Sequence, residues 1–508
     1  LRGGQGRGPP DSQSREARVT IASGGFVPTP WPQAPSPKPQ APSHMTIHLI
    51  GICGTAMATL AALLKHRGHD VQGSDQAVYP PMSDFLAREG IRTLDGYRAE
   101  HVAGPLDLVI VGNAISRGNP ELEAVLDRKL RYCSLPEAIR DQFLWDRRSI
   151  VIAGTHGKTT TTALTGWLLT HGGADPSVLV GGIAANFDAS YRVGRGRDFV
   201  IEGDEYDSAY FDKTAKFLKY LPDIAVVGNV EFDHADIYPD LDAVRLAFRR
   251  FVNLVPRGGL TLLGADSPRA AELRAVARSR LETFGLADAT ADWRAVDLRP
   301  AATGSAFRVL RRGQAFADVA LPLLGEHNVR NALAAIAVAA EAGLTPATIA
   351  EGLAAFRGVK RRMELRGVAR GVSVYDDFAH HPTAIAETLA GVRRARPEAR
   401  IWAVFEPRSA TSCRRVFQQD FADAFRAADE TILAAVFRST LPEDQRLDVP
   451  ALVDTLRARG QAARFLPTTG DIVATVAAEA REGDLVVVMS NGGFDGIHDK
   501  LLAALRAH

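Results

Sequence analysis

The chain has 508 residues, a length that suggests about three domains, and its 46% hydrophobic content is ample for packed cores. Lys+Arg of 60 against Asp+Glu of 59 leaves a net charge of +1, which gives no ground for a nucleic-acid polyanion or an anionic membrane surface as partner. No uninterrupted apolar run reaches the roughly 20 residues of a membrane span, so no membrane insertion is expected. The three cysteines, Cys53, Cys133 and Cys413, have neither pairing nor metal-ligand spacing and fit a reduced, cytoplasmic compartment.

Residues 1–44 read as a tail. They hold nine of the 28 prolines, lack apolar periodicity and carry no secretory signal core, so they are expected to be disordered, with the folded chain starting near Met45. From there TIHLIGICGTAMATLAALLKHRGHDVQGSD reads strand, glycine turn, amphipathic helix, strand. The turn GICGTAM is not a dinucleotide fingerprint, since Cys53 stands at a glycine position. Its exposed amides still suit a diphosphate. Asp75, at the end of the next strand, is placed to accept from a ribose or base, a reading that a dinucleotide would satisfy nearly as well. LDLVIVGNAIS, Leu106 to Ser116, reads as another buried strand running into a polar turn.

A second unit opens at SIVIAGTHGKTTTT. The common phosphate loop wants a glycine five positions before Gly157, and Ile152 stands there. The shorter loop nevertheless keeps each group that touches phosphate. Gly154 and Gly157 turn the amides inward, Lys158 reaches the terminal phosphates, and the Thr159 hydroxyl meets Mg²⁺ ahead of a helix N-terminus. Next come FVIEGDEYD, with Glu202, Asp204, Glu205 and Asp207 in six residues, and AVVGNVEFDHAD, with Asp233, His234 and Asp236. Crowded carboxylates favour a cation, and His234 is either a metal ligand or a phosphate contact. A third unit follows GVKRRME, with strands at GVSVYDDFAHH, ARIWAVFEPRS, ADETILAAVF and DLVVVMSNGG. Strands alternating with helices imply parallel sheets, with ligands at the carboxyl ends of strands. The expected fold class is therefore α/β, with three domains each on a mostly parallel sheet: a Rossmann-like unit (45–146), a central P-loop unit (147–358) and a Rossmann-like C-terminal unit (359–508).

The ordered set GTHGKTTTT, EGDEYD, NVEFDHADIYPD, GEHNVRNALAA, GVKRRME and YDDFAHHPTAI resembles the Mur ligase family, ATP-dependent amide-forming enzymes of cell-wall precursor synthesis, over essentially all of the chain from Met45. HLIGICGTAM, GSDQAVYPPMSDFL, FEPRSATS and MSNGGFDGIHDKLL point within that family to members that join UDP-N-acetylmuramate to the tripeptide L-alanyl-γ-D-glutamyl-meso-diaminopimelate in peptidoglycan recycling. Members that take L-alanine instead are the nearest alternative. A non-catalytic ATP-binding switch and a folate-polyglutamating relative are the others.

The resemblance implies roles. Gly154, Thr155, His156, Gly157, Lys158, Thr159 and Thr160 cradle ATP, and His327 and Asn331 face its adenine and ribose. Arg361 (or Arg362) and Asp376 to His381 close over it. Thr159, Glu202 and His234 hold Mg²⁺. Gly51, Gly54, Thr55, Met57, Ser74, Asp75, Asn113 and Ser116 hold the UDP-sugar. Arg408 grips an acidic group of the peptide. Lys158 and His234 act in catalysis, with Asp377, His380 or His381 as the base for the incoming amine. No obligate protein partner is implied. Some relatives add a carbamylated lysine at a second metal, but this chain has no lysine between Lys219 and Lys360.

Overall fold

The structure is a computed structural model that describes residues 44–78, 82–437 and 440–507. The expected tail lies, His44 apart, outside the described residues.

Three large sheets carry the described residues, beside a two-stranded hairpin of Asp207–Ala209 and Asp212–Ala215. The first has five parallel strands in the order Arg92–Asp95, Asp70–Asp75, Thr46–Ile50, Leu108–Val111 and Tyr132–Ser134. The stretch 106–116 is, as expected, a buried strand (Leu108–Val111) that runs into a turn, and the Gly112 N–H is held by the Ile50 carbonyl (3.0 Å). The middle sheet has ten strands: Gln314–Leu321, Gly304–Arg311, Trp293–Ala301, Arg280–Gly285, Leu260–Gly264, Ile224–Val227, Arg148–Ala153, Asp198–Gly203, Ser177–Ala184 and Ala189–Arg192. The third has six: Glu364–Ala369, Val372–Asp377, Leu485–Met489, Ile401–Phe405, Glu430–Leu433 and Ala462–Phe465.

The parallel strands are short runs of β-branched and aliphatic residues, such as LVIV, IAVV, IWAVF and LVVVM, buried on both faces as a sheet covered by helices requires. Antiparallel pairs occur at the margins. Trp293–Ala301, Gly304–Arg311 and Gln314–Leu321 form a meander, and Ser177–Ala184 pairs with Ala189–Arg192. These strands have a half-exposed alternating pattern, as one-sided strands do, and alternation of strand with helix does not announce them.

Register places the motifs. Ala153 pairs with both Val227 and Gly203, so the middle sheet's three motif-bearing loops leave at one level. Ile50 is level with Ser74 and Val111 in the first sheet, and Met489 with Asp377 and Phe405 in the third. Each sheet thus delivers three loops from the carboxyl ends of three adjacent strands, where open parallel sheets bind ligands. Phe217, Phe248 and Phe251 pack ring on ring at 4.6–5.3 Å beneath the segment that follows the acidic loop. Phe251→Ala is expected to cost about 3–5 kcal/mol, seen as a lower urea midpoint with native far-UV ellipticity retained before the transition.

Candidate functional site

One cavity of about 450 Å³ is lined from all three sheets. Thr55, Ala56 and Thr59 come from the first unit. Thr155 to Thr161, Glu202, Asp204, His234, His327 and Asn331 come from the second, and Arg362, Asp377, His380 and His381 from the third.

The phosphate loop closes between the strand Arg148–Ala153 and the helix Lys158–His171. Gly157 has φ +80°, and a Cβ there would lie 2.3 Å from Asn331 Oδ1, so only glycine lets the loop pass under the helix Glu326–Glu341. Asn229 braces the loop from the next strand end. Its Oδ1 accepts the His156 N–H (2.8 Å) and its Nδ2 donates to the His156 carbonyl (3.2 Å). The Lys158 ammonium donates to the Gly154 and Thr155 carbonyls (2.8 and 3.2 Å) and to both oxygens of buried Glu205 (2.9 and 2.8 Å). Burial works against its charge, but Glu205, Asp204 and Glu202 outweigh that and hold its pKa above the ordinary lysine value.

Glu205 also faces His234 Nε2 at 3.4 Å. Burial opposes a charged imidazole here, yet the Glu205 bond and charge, with Asp233, raise the His234 pKa to about 9. With that raised pKa His234 favours the imidazolium, which suits a phosphate contact, while its ring nitrogen also lies within reach of Asp204 and Glu205 in a group that could hold a metal ion. The Thr159 hydroxyl donates to Glu202 Oε1 (3.1 Å), and Glu202 accepts the Gly181 N–H (2.8 Å). Burial raises the Glu202 pKa despite Lys158 nearby. A hydroxyl and a carboxylate side by side are hard oxygen donors of the kind Mg²⁺ takes.

The third sheet docks onto these loops. Thr383 Oγ1 donates to Glu231 Oε2 (2.7 Å), and His381 Nε2 meets the Phe232 carbonyl (3.1 Å). Thr411 Oγ1 donates to Asp233 Oδ1 (2.5 Å), and Arg362 Nη2 donates to Thr159 Oγ1 (3.2 Å).

Of the three base candidates, His381 has both ring nitrogens engaged. Nδ1 accepts the Thr383 N–H at the start of the helix Pro382–Ala395 and Nε2 donates to Phe232, while burial lowers its pKa to about 4. The Asp377 carboxylate accepts the Met363 and Ala379 amides (both 2.8 Å), and its pKa is raised by burial. His380 Nδ1 donates to the Phe378 carbonyl (3.0 Å), which makes Nε2 its basic nitrogen, and burial keeps the ring neutral.

Several expected residues sit elsewhere. Arg361 does not line the cavity. Its Nη2 donates to the Ser490 and Gly492 carbonyls (2.7 and 2.6 Å), and its neighbour Arg362 takes the nucleotide side. Asp376 is buried in ion pairs with Arg361 and Arg366, also outside the cavity lining. Met57 is a core residue, 6% exposed. Ser74 Oγ donates to the buried Glu121 carboxylate (2.5 Å), which also meets His48 and His101. Asp75 braces the glycine turn by accepting the Cys53 N–H (2.8 Å), while the Gly51 amide donates to the Ser74 carbonyl (2.8 Å). Gly54 closes that turn and Ser116 lies exposed at the next. Asn113 Nδ2 donates to Asp207 (3.0 Å), tying the first sheet's loop to the middle unit. His327 lines the cavity with Nδ1 buried and unpartnered. The Arg408 guanidinium lies 3.7 Å from the centroid of the Phe437 ring and beside Gly492, where a Cβ would approach Nε to 2.2 Å. Glu205, Asn229, Glu231 and Thr411 matter here without having been singled out for these contacts. Each stands in a stretch that is visibly polar, but its partner lies in another stretch.

The charge pair has a signed consequence. With its pKa raised, His234 contributes stability fully below 6.5, and loses it as pH climbs through about 9. A ring titration by NMR is expected near 9 in the wild type. In Glu205→Gln it is expected to fall, since burial is then opposed by Asp233 without the Glu205 bond and charge. An unmoved midpoint in the variant would exclude Glu205 as the cause.

Comparison with known proteins matches the Mur ligase family catalytic domain over residues 46–143, the Mur ligase middle domain over 152–339, and the Mur ligase glutamate ligase domain over 361–492. The chain is 42% identical over 464 residues to the UDP-N-acetylmuramate–L-alanyl-γ-D-glutamyl-meso-2,6-diaminoheptandioate ligase of Escherichia coli strain K12, covering 91% of this chain and 98% of that protein. It is 39% identical over 454 residues to the UDP-N-acetylmuramate–L-alanine ligase of Agrobacterium fabrum strain C58, covering 88% and 94%. The crystal structure of a murein peptide ligase from Psychrobacter arcticus 273-4 superposes with TM-score 0.68 at 37% identity, over 91% of this chain and 99% of that one.

Proposed function

The chain belongs to the Mur ligase family, and on that premise we propose that it joins UDP-N-acetylmuramate to L-alanyl-γ-D-glutamyl-meso-diaminopimelate with breakdown of ATP. The observation that carries the peptide as acceptor is the 42% identity to the peptide ligase across 98% of that protein's length. The L-alanine ligase reading, at 39%, involves the same chemistry with a smaller amine.

A carboxylate and an amine do not condense in neutral water, because the leaving group is poor. Phosphorylation of the muramate's lactyl carboxylate removes that obstacle. The carboxylate attacks the γ-phosphate, and the resulting acyl phosphate is captured by the α-amine of the peptide's L-alanine, giving the amide, ADP and phosphate. In this reading the first unit (45–146) holds the UDP-sugar through the turn at Gly51–Thr55, the second (147–358) the ATP, and the third (359–508) the peptide. Lys158 and the His234 imidazolium neutralise the phosphates, mostly by position and charge. Thr159 and Glu202 would hold a Mg²⁺ ion, which when bound would supply positive charge to the polyphosphate. His380 Nε2 takes the proton of the attacking ammonium. Arg408, held over the Phe437 ring, offers a guanidinium to a peptide carboxylate. The docked third unit keeps water from the acyl phosphate.

An acceptor screen tests the reading, with UDP-N-acetylmuramate and ATP held fixed. Tripeptide-dependent phosphate release is expected. Release with L-alanine but not the tripeptide would favour the other ligase, and no acceptor-dependent release would remove both. Lys158→Ala is expected to lose nearly all turnover, more than about 10²-fold, with its native far-UV ellipticity kept.

A further inference from the structure

Resting on that ligase reading, we propose that Thr411 is a positioning residue. Its hydroxyl seats His234 for phosphoryl transfer when the third unit docks, and so ties the acceptor-side loop to the first chemical step.

Thr411 is 2% exposed and stands on the loop that leaves the strand Ile401–Phe405. Its hydroxyl makes two bonds into the middle unit. It donates to Asp233 Oδ1 (2.5 Å) and accepts the His234 N–H (3.1 Å). That N–H also reaches Asp233 Oδ1 (2.7 Å), which closes a small buried ring of three polar groups. His234 needs such a hold. Its φ is +52°, a left-handed conformation uncommon outside glycine, though histidine enters it more readily than most side chains. The conformation aims the imidazole at Glu205, 3.4 Å away, with Tyr206 edge-on at 5.1 Å between ring centroids. Glu205 in turn holds the Lys158 ammonium. One hydroxyl therefore fixes the backbone from which the phosphate-facing charge projects.

The loop around Thr411 is stiff. Ser412 Oγ accepts the Arg408 and Ser409 amides (3.0 and 2.9 Å), and the Ser412 N–H returns to Ser409 Oγ (2.9 Å). Arg408 and Thr411 thus ride on one hydrogen-bonded turn, so whatever positions Arg408 positions Thr411. The other two clamps on this segment, Thr383 on Glu231 and His381 on Phe232, stop short of His234. Thr411 is where the third unit's docking reaches the residue that faces the phosphates.

The test uses the full chain in single-turnover reactions with ATP and UDP-N-acetylmuramate, no peptide added, reading ADP formed by rapid quench. Thr411→Val, which keeps the shape and removes the hydroxyl, is expected to slow ADP formation about tenfold or more. Thr411→Ser is expected to restore it to within about threefold, with ATP affinity unchanged in both. In steady state with peptide, Thr411→Val is expected to lower kcat and leave the peptide KM alone. Thr411→Ala, read the same way, removes the hydroxyl a second time should the valine not be accommodated. A Val rate equal to wild type, a Ser rate as slow as Val, or a loss explained by weaker ATP binding each overturns the role. If the wild type forms no ADP from this mixture, the ligase reading falls and the role of Thr411 with it. If it does and Val matches it, only Thr411 is removed.

Discussion

Parallel pairing of adjacent strands at one level is the constraint on which the rest depends. Such strands all point their carboxyl ends at one edge, and a strand that pairs residue for residue with two neighbours delivers three loops to one place. The middle sheet does this with Ala153, Gly203 and Val227, and the third with Asp377, Phe405 and Met489. The phosphate loop, the acidic loop and the loop containing His234 are far apart in sequence and become neighbours through register alone. Slippage by one residue would turn each strand's side chains to the opposite face and misalign all three loops.

Charge balance at that edge sets the resting state. An ammonium taken out of water is costly unless paired, and Lys158 is buried against a carboxylate that also holds the His234 imidazolium. Glu205 therefore balances two cations at once, the Lys158 ammonium at 2.8 Å and the His234 ring at 3.4 Å. The Asp204 carboxylate, kept charged by Lys216 and Lys158 in spite of burial, limits how far the local field becomes positive. A loop of this kind is poised for an anion yet stable without one.

Much of this was legible in the sequence, for a physical reason. A strand, its turn and the first residues of the next helix are contiguous, so GTHGKTT, EGDEYD and EFDHAD announce their chemistry locally. What was hidden is pairwise. Nothing in NVEF tells that Asn229 grips the phosphate loop by both faces of its amide, or that Glu205 rather than Glu202 is the partner of Lys158. Arg361 and Arg362 show the limit sharply. They are adjacent and both lie near the Phe378 ring, at 5.1 and 5.0 Å. Positive φ at Arg361 and Met363 twists the backbone around them, so one guanidinium reaches Ser490 and Gly492 and the other Thr159. Ser74 and Asp75 are visible as polar residues at a strand end, but their partners within the fold, Glu121 and the Cys53 amide, are not.

The segment Glu231–His234 joins the two themes. It leaves a middle-sheet strand, so its path is fixed by register, and it is then gripped by the third unit at the Glu231 carboxylate, the Phe232 carbonyl, the Asp233 carboxylate and the His234 amide. Each grip is a single hydrogen bond, worth about 0.5–1.5 kcal/mol net where uncharged and somewhat more at the carboxylates. Together they hold the docked arrangement without locking it, which an enzyme that must admit nucleotide and release product requires. The apolar support is small, a ring stack of Phe232 on Phe417 at 5.9 Å. A contact built mainly from polar groups can be replaced by water when the units part, whereas a hydrophobic one would resist opening. Asp233 and His234 also line the cavity, so the contact between the units and the cavity wall share one segment.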